Sequence, residues 1–471
     1  MPPPLEALSP SSLIFPSAST SISSTLHFLT RSNLTITNRI RSIQHDAEFV
    51  AHIASFYQLP LVANERCGSW YIPSSNNPRS LTVGPSGKPS GGKAGSAYFK
   101  STDGHHGQWS FSLRRLNLLV LDVICGSERG GCIIVDSTRR GKSMPDALSK
   151  TVPIWVAVLD RLLFPDEVAS HPLQTPEDVV SRSEHTQIEL RLPTFVSELR
   201  SLDLDVDMLR SKLNGEPIEI EWVTPDSIVL SPPEDHANRN LIVLCTASGR
   251  TISGRPETFD YVQGAADDSE SWARGLTPPL FWAHIEQLSK TSEDELPAMI
   301  EGLVRARKAS EVVHKPVLIQ PTRNIWIGDH AATHTLHDDF DVIVSCSEQP
   351  DDVLVEELKD KYIHLPCATG KVGSRELRLA LPKLLPLIES LEPDIQVLIT
   401  CHTGRDLSVG AALALICLCC DNDGRLRPAE NPPPSLSKTL IKHRLSWIMV
   451  SMPDAAPSRA TLQSVNAFLF G

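Results

Sequence analysis

Residues 131–143, GCIIVDSTRRGKS, carry the densest chemistry in the chain. Cys132, Ile133, Ile134 and Val135 read as a short buried strand. They deliver a polar loop made of Asp136, Ser137, Thr138, Arg139, Arg140, Gly141, Lys142 and Ser143. Beyond it, Val152, Trp155, Val156, Leu159 and Leu162 recur at helical spacing through 147–163. Pro145 marks the start of that helix, and Pro153 predicts a kink or a break inside it. A loop pinned between a strand and a helix N-terminus aims several backbone N–H groups at one spot, and the helix dipole makes that spot suit a phosphate. Arg139, Arg140 and Lys142 add charge to it, and Ser137, Thr138 and Ser143 add hydroxyls.

The pattern occurs twice. Residues 396–408, QVLITCHTGRDLS, again read as strand and loop, followed by a helix over 409–420. Laid on each other, the loops pair Thr138 with Thr403, Arg140 with Arg405 and Ser143 with Ser408. The candidate anion contacts of the second loop are His402, Thr403, Gly404, Arg405 and Ser408. This loop resembles the phosphate-binding loop of the dual-specificity and tyrosine phosphatases, Cys-x5-Arg-Ser/Thr. Cys401 fits the nucleophile position, Gly404 the central glycine and Ser408 the terminal hydroxyl. Leu407 stands where those enzymes need the arginine. In the first loop Asp136 replaces the cysteine and Lys142 the arginine. Neither loop can run the phosphatase reaction, while both can keep an anion-holding geometry.

Carboxylates flank these loops. Residues 97–102 read as a strand entering the turn DGHHG, and 110–124 as a helix. Asp103, beside His105 and His106, occupies the place of the phosphatase general acid, one strand–loop–helix unit before the phosphate loop. It could exchange a proton with a substrate hydroxyl, or merely cap a helix or shape a turn. Residues 261–282, YVQGAADDSESWARGLTPPLFW, cluster Gln263, Gly264, Asp267, Asp268 and Glu270 between aromatic anchors. Asp267 and Asp268 are candidate magnesium ligands, since magnesium is commonly held by one or two carboxylates plus substrate phosphates. The plainer alternative is a solvated turn ahead of a helix.

The elements that position these groups alternate strand and helix over 471 residues, enough for two or three domains. A helix is expected over 36–57, with Arg31, Arg39 and Arg41 as a basic start that could face an RNA backbone or simply water. Residues 75–95, with Arg79, Lys88 and Lys93, form a loop too rich in Gly, Pro and Ser to pack a core; it reads as a lid or as a linker. Further expectations are a loop over 165–184, a helix over 198–213, strands over 217–223 and 240–247, and helices over 283–309. Net charge is −12, so any RNA contact must come from local basic patches. Ten scattered cysteines suit a reducing compartment. Cys417, Cys419 and Cys420 lie in an apolar helix and read as packing residues, not zinc ligands. No apolar run approaches the ~20 residues needed to span a bilayer. Residues 1–24, rich in Pro and Ser, read as a disordered tail.

From Asn324 onward, NIWIGDHAATHTLHDDFDVIVSCSE and KYIHLPCATG resemble the opening strands of a dual-specificity phosphatase. No Asp lies between Tyr362 and Ser390, so an acid is missing there as well as the arginine. Across the whole chain, NERCGSWYI, AYFKSTDGH, IIVDSTRRGKS, YVQGAADDSESWARGLTP and CHTGRDLSVG resemble, in order, the initiator-tRNA ribosylphosphate transferases. The resemblance implies transfer of a 5-phosphoribosyl group from phosphoribosyl pyrophosphate to the 2′-hydroxyl of adenosine 64 of cytoplasmic initiator tRNA, which keeps that tRNA out of elongation. The fold class expected is α/β: two phosphatase-like domains, each with a helix-flanked central sheet and one strand–phosphate-loop–helix unit. The first spans 25–285 and the second 319–471, joined by a helical linker over 286–318. The first loop is assigned to the donor, and magnesium with the loop cations to the leaving pyrophosphate. Asp136 is expected at the magnesium or the sugar. Asp103, Asp267 and Asp268 are the candidate bases, and Arg405 is assigned to a tRNA phosphate. The rival readings are a catalytically inactive phosphatase-like scaffold for phosphorylated ligands, and a phosphatase working through Cys401.

Overall fold

The computed structural model describes residues 34–73, 82–83, 89–90, 93–139, 141–165, 171–227, 239–250, 259–308, 315–390, 392, 394–427, 436–452 and 455–471. The expected tail over 1–24, Arg31, Arg79, Lys88, most of the 75–95 loop and Arg140 lie outside these residues.

The chain builds two mostly parallel sheets. In the first, β1 (Leu61–Asn64), β2 (Lys93–Ala97), β3 (Gly131–Asp136), β4 (Ile218–Val223) and β5 (Asn240–Thr246) run parallel in the order β2-β1-β3-β5-β4. In the second, β6 (Val317–Leu318), β7 (Ile325–Asp329), β8 (Val342–Ser347), β9 (Tyr362–Pro366) and β10 (Val397–Cys401) take the order β9-β8-β10-β7-β6, with only β6 antiparallel. In each sheet the strand that feeds a loop, β3 or β10, is the central one. The loop strand is third in chain order in the first sheet and last in the second, so the two halves are not copies of one topology.

A parallel sheet needs apolar cover on both faces. Alternate residues of β3 supply it. Cys132 and Ile134 face a core that includes the helix Val152–Leu163, and Ile133 and Val135 face one that includes Ile36–Tyr57. The helix Ile36–Tyr57 follows its apolar spacing, with Thr35 capping Asn38 N–H and Gln58 closing it in a left-handed conformation. Leu288, Leu296 and Ile300, from the helices Ile285–Lys290 and Leu296–Lys308, join that second core. The first core runs on without interruption into the second sheet, through Ile327, Val344 and Ile399. Among the described residues no helix is long and apolar enough to cross a membrane.

One expectation holds and three change. Pro153 does divide its helix: a π-helical turn, Ala147–Thr151, precedes Val152–Leu163 and places the proline in a first turn, where its missing N–H is tolerated. The strand expected over 97–102 is instead Lys93–Ala97, and Ser101–Gly104 form a 3-10 turn. The helix expected over 110–124 is only Leu119–Cys125. Asn117 sits at a positive φ, and its amide brackets the Tyr98 backbone, so 110–118 runs as an irregular strap. The helix expected over 198–213 is broken into Leu192–Arg200 and Val206–Lys212, with Asp203 left-handed and Asp205 capping Met208 N–H.

Candidate active site

The carboxyl ends of β1 and β3 meet at Asn64 and Asp136, the edge where ligands of open parallel sheets bind. Asp136 is fully buried, and both of its oxygens are taken. Asn64 Nδ2 donates to Oδ2 at 2.8 Å, and Ser137 N–H donates to Oδ1 at 2.8 Å. Arg66 Nε and Nη2 reach Oδ2 and Oδ1 at 3.2 and 3.0 Å, and the Cys67 thiol donates to Oδ1 at 3.0 Å. Asn64 is itself fixed by the Phe99 backbone at both ends of its amide.

The same guanidinium bridges to a second carboxylate. Arg66 Nη1 lies 3.1 Å from Asp267 Oδ2, and Cys67 Sγ, whose single proton is shared with Asp136, lies 3.2 Å from Asp267 Oδ1. Asp267 is 4 % exposed. Burial works against the charge of Arg66, yet Asp136 and Asp267 outweigh it and hold the guanidinium firmly protonated. Burial pushes the Asp267 carboxyl up, opposed by Arg66. Burial and the two carboxylates push the Cys67 thiol well up, so it acts as a donor and not as a thiolate. Gly68 follows because a Cβ there would strike the Val135 carbonyl.

The loop after Asp136 is tied down from inside. Thr138 N–H donates to Ser248 Oγ at 3.1 Å, and Ser248 Oγ donates back to Thr138 O at 2.8 Å. Ser137 Oγ bonds Ser248 at 2.9 Å, and Arg66 Nη2 holds Ser137 O. Gly141 N–H donates to Gln263 Oε1 at 2.7 Å, Gln263 Nε2 donates to Lys142 O at 2.8 Å, and Lys142 N–H closes on Arg139 O. The expectation of several amides aimed at one vacant spot is therefore corrected: the N–H groups of Ser137, Thr138, Gly141 and Lys142 have protein partners. The cause is the Asp at the first loop position, which takes the first amide, with Ser248 and Gln263 taking others. What the loop presents outward is side-chain charge. Arg139 pairs with Asp268, and Lys142 lies 3.2 Å from Asp146. Both cations are more than a third exposed, where such pairs exchange readily. Ser143 is half-buried beside them. Behind the loop, buried Lys150 binds Asp146 at 3.0 Å and Glu184 at 3.2 Å.

The four candidate carboxylates separate in role. Asp136 reaches neither a sugar nor a metal, because its lone pairs are spent on Asn64, Arg66, Cys67 and Ser137. Asp267 shares its guanidinium, and Asp268 faces Arg139. Each of these two thus has a cationic partner, and among the described residues no group of three or more His, Cys, Asp or Glu side chains could hold a metal. A guanidinium occupies the space between Asp136 and Asp267 that a cation would need. Asp103 is half-buried on its turn, within electrostatic reach of Lys100 and Arg115, and no hydrogen bond or ion pair of its carboxylate is found among the described residues. Arg39 is buried, donates to Ala265 O at 2.9 Å and lies over Trp272, so it serves the core and not an RNA face.

In the second loop Cys401 is buried, its Sγ 3.1 Å from Ser408 Oγ. Gly404 takes a positive φ against the Gly328 backbone. Leu407, at the arginine position, begins the helix Leu407–Cys419 and is buried. Asp406 accepts from Ser458 N–H at 2.8 Å, which ties the loop to the helix Arg459–Leu469. His402, Thr403 and Arg405 are exposed. Glu376, one of the few carboxylates near the missing acid, accepts Ala368 N–H and shapes the backbone there.

Sequence reasoning missed Cys67 and Ser248, and met Arg66 only within the stretch NERCGSWYI. Arg66 could have been flagged as a lone cation between two apolar stretches. Nothing local marks Ser248, more than a hundred residues from its partner.

Residues 29–305 match the family described as the Rit1 N-terminal domain, and residues 361–469 the Rit1 DUSP-like domain. An uncharacterised protein of Schizosaccharomyces pombe is 36 % identical over 451 residues, covering 92 % of this chain and 93 % of its own. The Saccharomyces cerevisiae protein named tRNA A64-2′-O-ribosylphosphate transferase is 34 % identical over 498 residues, covering 93 % of each chain. Two solved phosphatases overlap about a third of the chain: PTP-2 of Cydia pomonella, 15 % identical, covers 32 % of this chain and 88 % of its own with a TM-score of 0.23. The Yvh1 phosphatase domain of Chaetomium thermophilum, 16 % identical, covers 33 % and 96 % with a TM-score of 0.26. With one family match over more than half its length and a 34 % identical relative matched nearly end to end, the chain belongs to the Rit1 family, that of the yeast tRNA ribosylphosphate transferase.

Proposed function

We propose that this chain transfers a 5-phosphoribosyl group from phosphoribosyl pyrophosphate to the 2′-hydroxyl of adenosine 64 in cytoplasmic initiator tRNA, marking that tRNA against use in elongation. The observation that carries the reading is the 34 % identity to the yeast transferase over 93 % of both chains. The initiator tRNA, the donor and the compartment extend what that relative's name says.

In this reaction the 2′-oxygen bonds to the anomeric carbon, the bond to pyrophosphate breaks, and the hydroxyl proton passes to a base. Positive charge grows on the sugar and negative charge on the leaving group. Arg139 is half-buried and Lys142 exposed, and each is paired with a carboxylate at the surface, so the leaving pyrophosphate can take them over from Asp268 and Asp146. Asp136 acts through Arg66 and the loop amide, as a positioning residue. Asp103 is the open carboxylate and takes the role of base. Asp267 and Asp268 already have cationic partners, so a magnesium ion would be held mainly by the donor's pyrophosphate and would offset the charge of the leaving group.

The test is incubation with unmodified initiator tRNA and donor labelled in the ribose. Label at the 2′-oxygen of adenosine 64, with one pyrophosphate released per label, supports the reading. No label in tRNA, or label at another nucleotide, overturns it.

A further inference from the structure

Between the two sheets lies an open cavity of about 850 Å³. Its walls come from both halves: Glu65, Lys93, Tyr98 and Arg115 from the first, and Arg405, Met449 and Ala455 from the second. Glu65 is the chain neighbour of Arg66, and Arg405 belongs to the second loop, so that loop borders the cavity. Arg115 lies flat over the Tyr98 ring, 3.8 Å from its centroid, which fixes its guanidinium in the cavity wall. Lys100 and Arg114 stand beside it, close enough for their charges to act on one another. From the other half, Arg459 acts on Lys100, and Asp406 on Arg115.

Of the nearby carboxylates, Asp103 faces Lys100 and Arg115, while Glu65 and Asp406 are engaged elsewhere. Glu65 is held by Lys93, Ser69 and Ser96, and Asp406 by Ser458 N–H and Thr461 Oγ1. Burial above all, and then neighbouring positive charge, lowers the pKa of Lys100 and Arg115, against the pull of Asp103 on both. On a chain of net charge −12 this concentration of cations is local, and like charges gathered in this way are relieved by a polyanion.

We infer that this cleft seats the sugar–phosphate backbone of a double-stranded RNA, gripped from one side by Lys100, Arg114 and Arg115 and from the other by Arg405 and Arg459. The apolar floor of Pro278, Pro279, Met449 and Ala455 suits ribose faces between phosphate contacts. An A-form helix is held through its backbone and 2′-hydroxyls, without base reading, which is what side chains of this kind offer. The second half then serves as one jaw of an RNA clamp. The inference rests on the proposed tRNA substrate and adds where its backbone lies.

The test uses the full chain and a fluorescein-labelled RNA duplex without donor, with affinity measured against salt concentration. Lys100→Gln and Arg459→Gln, one from each jaw, are compared with wild type singly and together, with thermal melting as the check on folding. Each is expected to weaken binding by about 3–10-fold and to reduce the slope of log affinity against log salt by about one, the double variant by about two. Donor affinity is expected to stay at the wild-type value. An unchanged slope in a folded double variant overturns the clamp, as does loss from one jaw only. If transfer to tRNA proceeds while the slope is unchanged, the clamp fails and the transferase stands. If the slope falls but no tRNA is modified, the clamp stands and the transferase reading fails.

Discussion

A single guanidinium organises the candidate site. Arg66 touches Asp136, Asp267 and the Ser137 carbonyl, and three groups that would otherwise repel or lie unpaired become one rigid unit. This arrangement separates the carboxylates by what each is free to do. The Asp268 carboxylate pairs with Arg139, so Asp268→Asn should leave the transfer rate within about threefold and lower the KM for the donor. Asp103→Asn should lower kcat by about 100-fold or more with donor KM unchanged. Steady-state transfer assays on the two variants check this. A second buried carboxyl lies far from the chemistry. Asp160, in the helix Val152–Leu163, accepts only the Ile218 N–H, at 3.2 and 3.3 Å, and burial pushes its pKa up to about 8. Between its unfolded pKa of about 4 and 8, the folded chain keeps a proton that the unfolded chain releases. Stability should therefore fall as pH rises through that window, by up to about 1.4 kcal/mol per pH unit. In urea titrations Asp160→Asn should gain on wild type at pH 8 relative to pH 5; parallel stability curves would refute the assignment.

At the scale of elements, the first loop is shaped by segments distant in sequence. Gly264 holds φ +63°, and a Cβ there would lie 2.5 Å from Thr138 O. Gly264→Ala should cost about 1–3 kcal/mol and raise the donor KM by moving Gln263 off the Gly141 and Lys142 backbone. Unchanged melting and unchanged KM would show that this segment does not set the loop. The same distinction between local and distant explains what could be read from the chain. The helix Ile36–Tyr57 was legible to its ends, because its apolar spacing is a local signal. Both loops were legible for the same reason, each lying between a short apolar run and a helix. The breaks at Asn117 and Asp203 were not, since their left-handed conformations are fixed by tertiary bonds and turns that helical spacing does not record. The closure of the first loop by Ser248 and Gln263 was hidden in the same way, which is why amides expected to be vacant are occupied.

At the scale of the whole molecule, the two halves divide the work. The first carries the bridged carboxylates and the cationic loop. The second keeps the outline of a phosphatase loop, with Cys401 buried and Leu407 where the arginine would stand. A continuous apolar core joins them, and one cavity runs between them. The most direct test measures the rate of ribose-label transfer to initiator tRNA by two folded variants under the same conditions. The account predicts that Cys401→Ser transfers at the wild-type rate, while Arg139→Ala with Lys142→Ala falls by about 100-fold or more. Loss of transfer in Cys401→Ser, with the double variant at the wild-type rate, would contradict it.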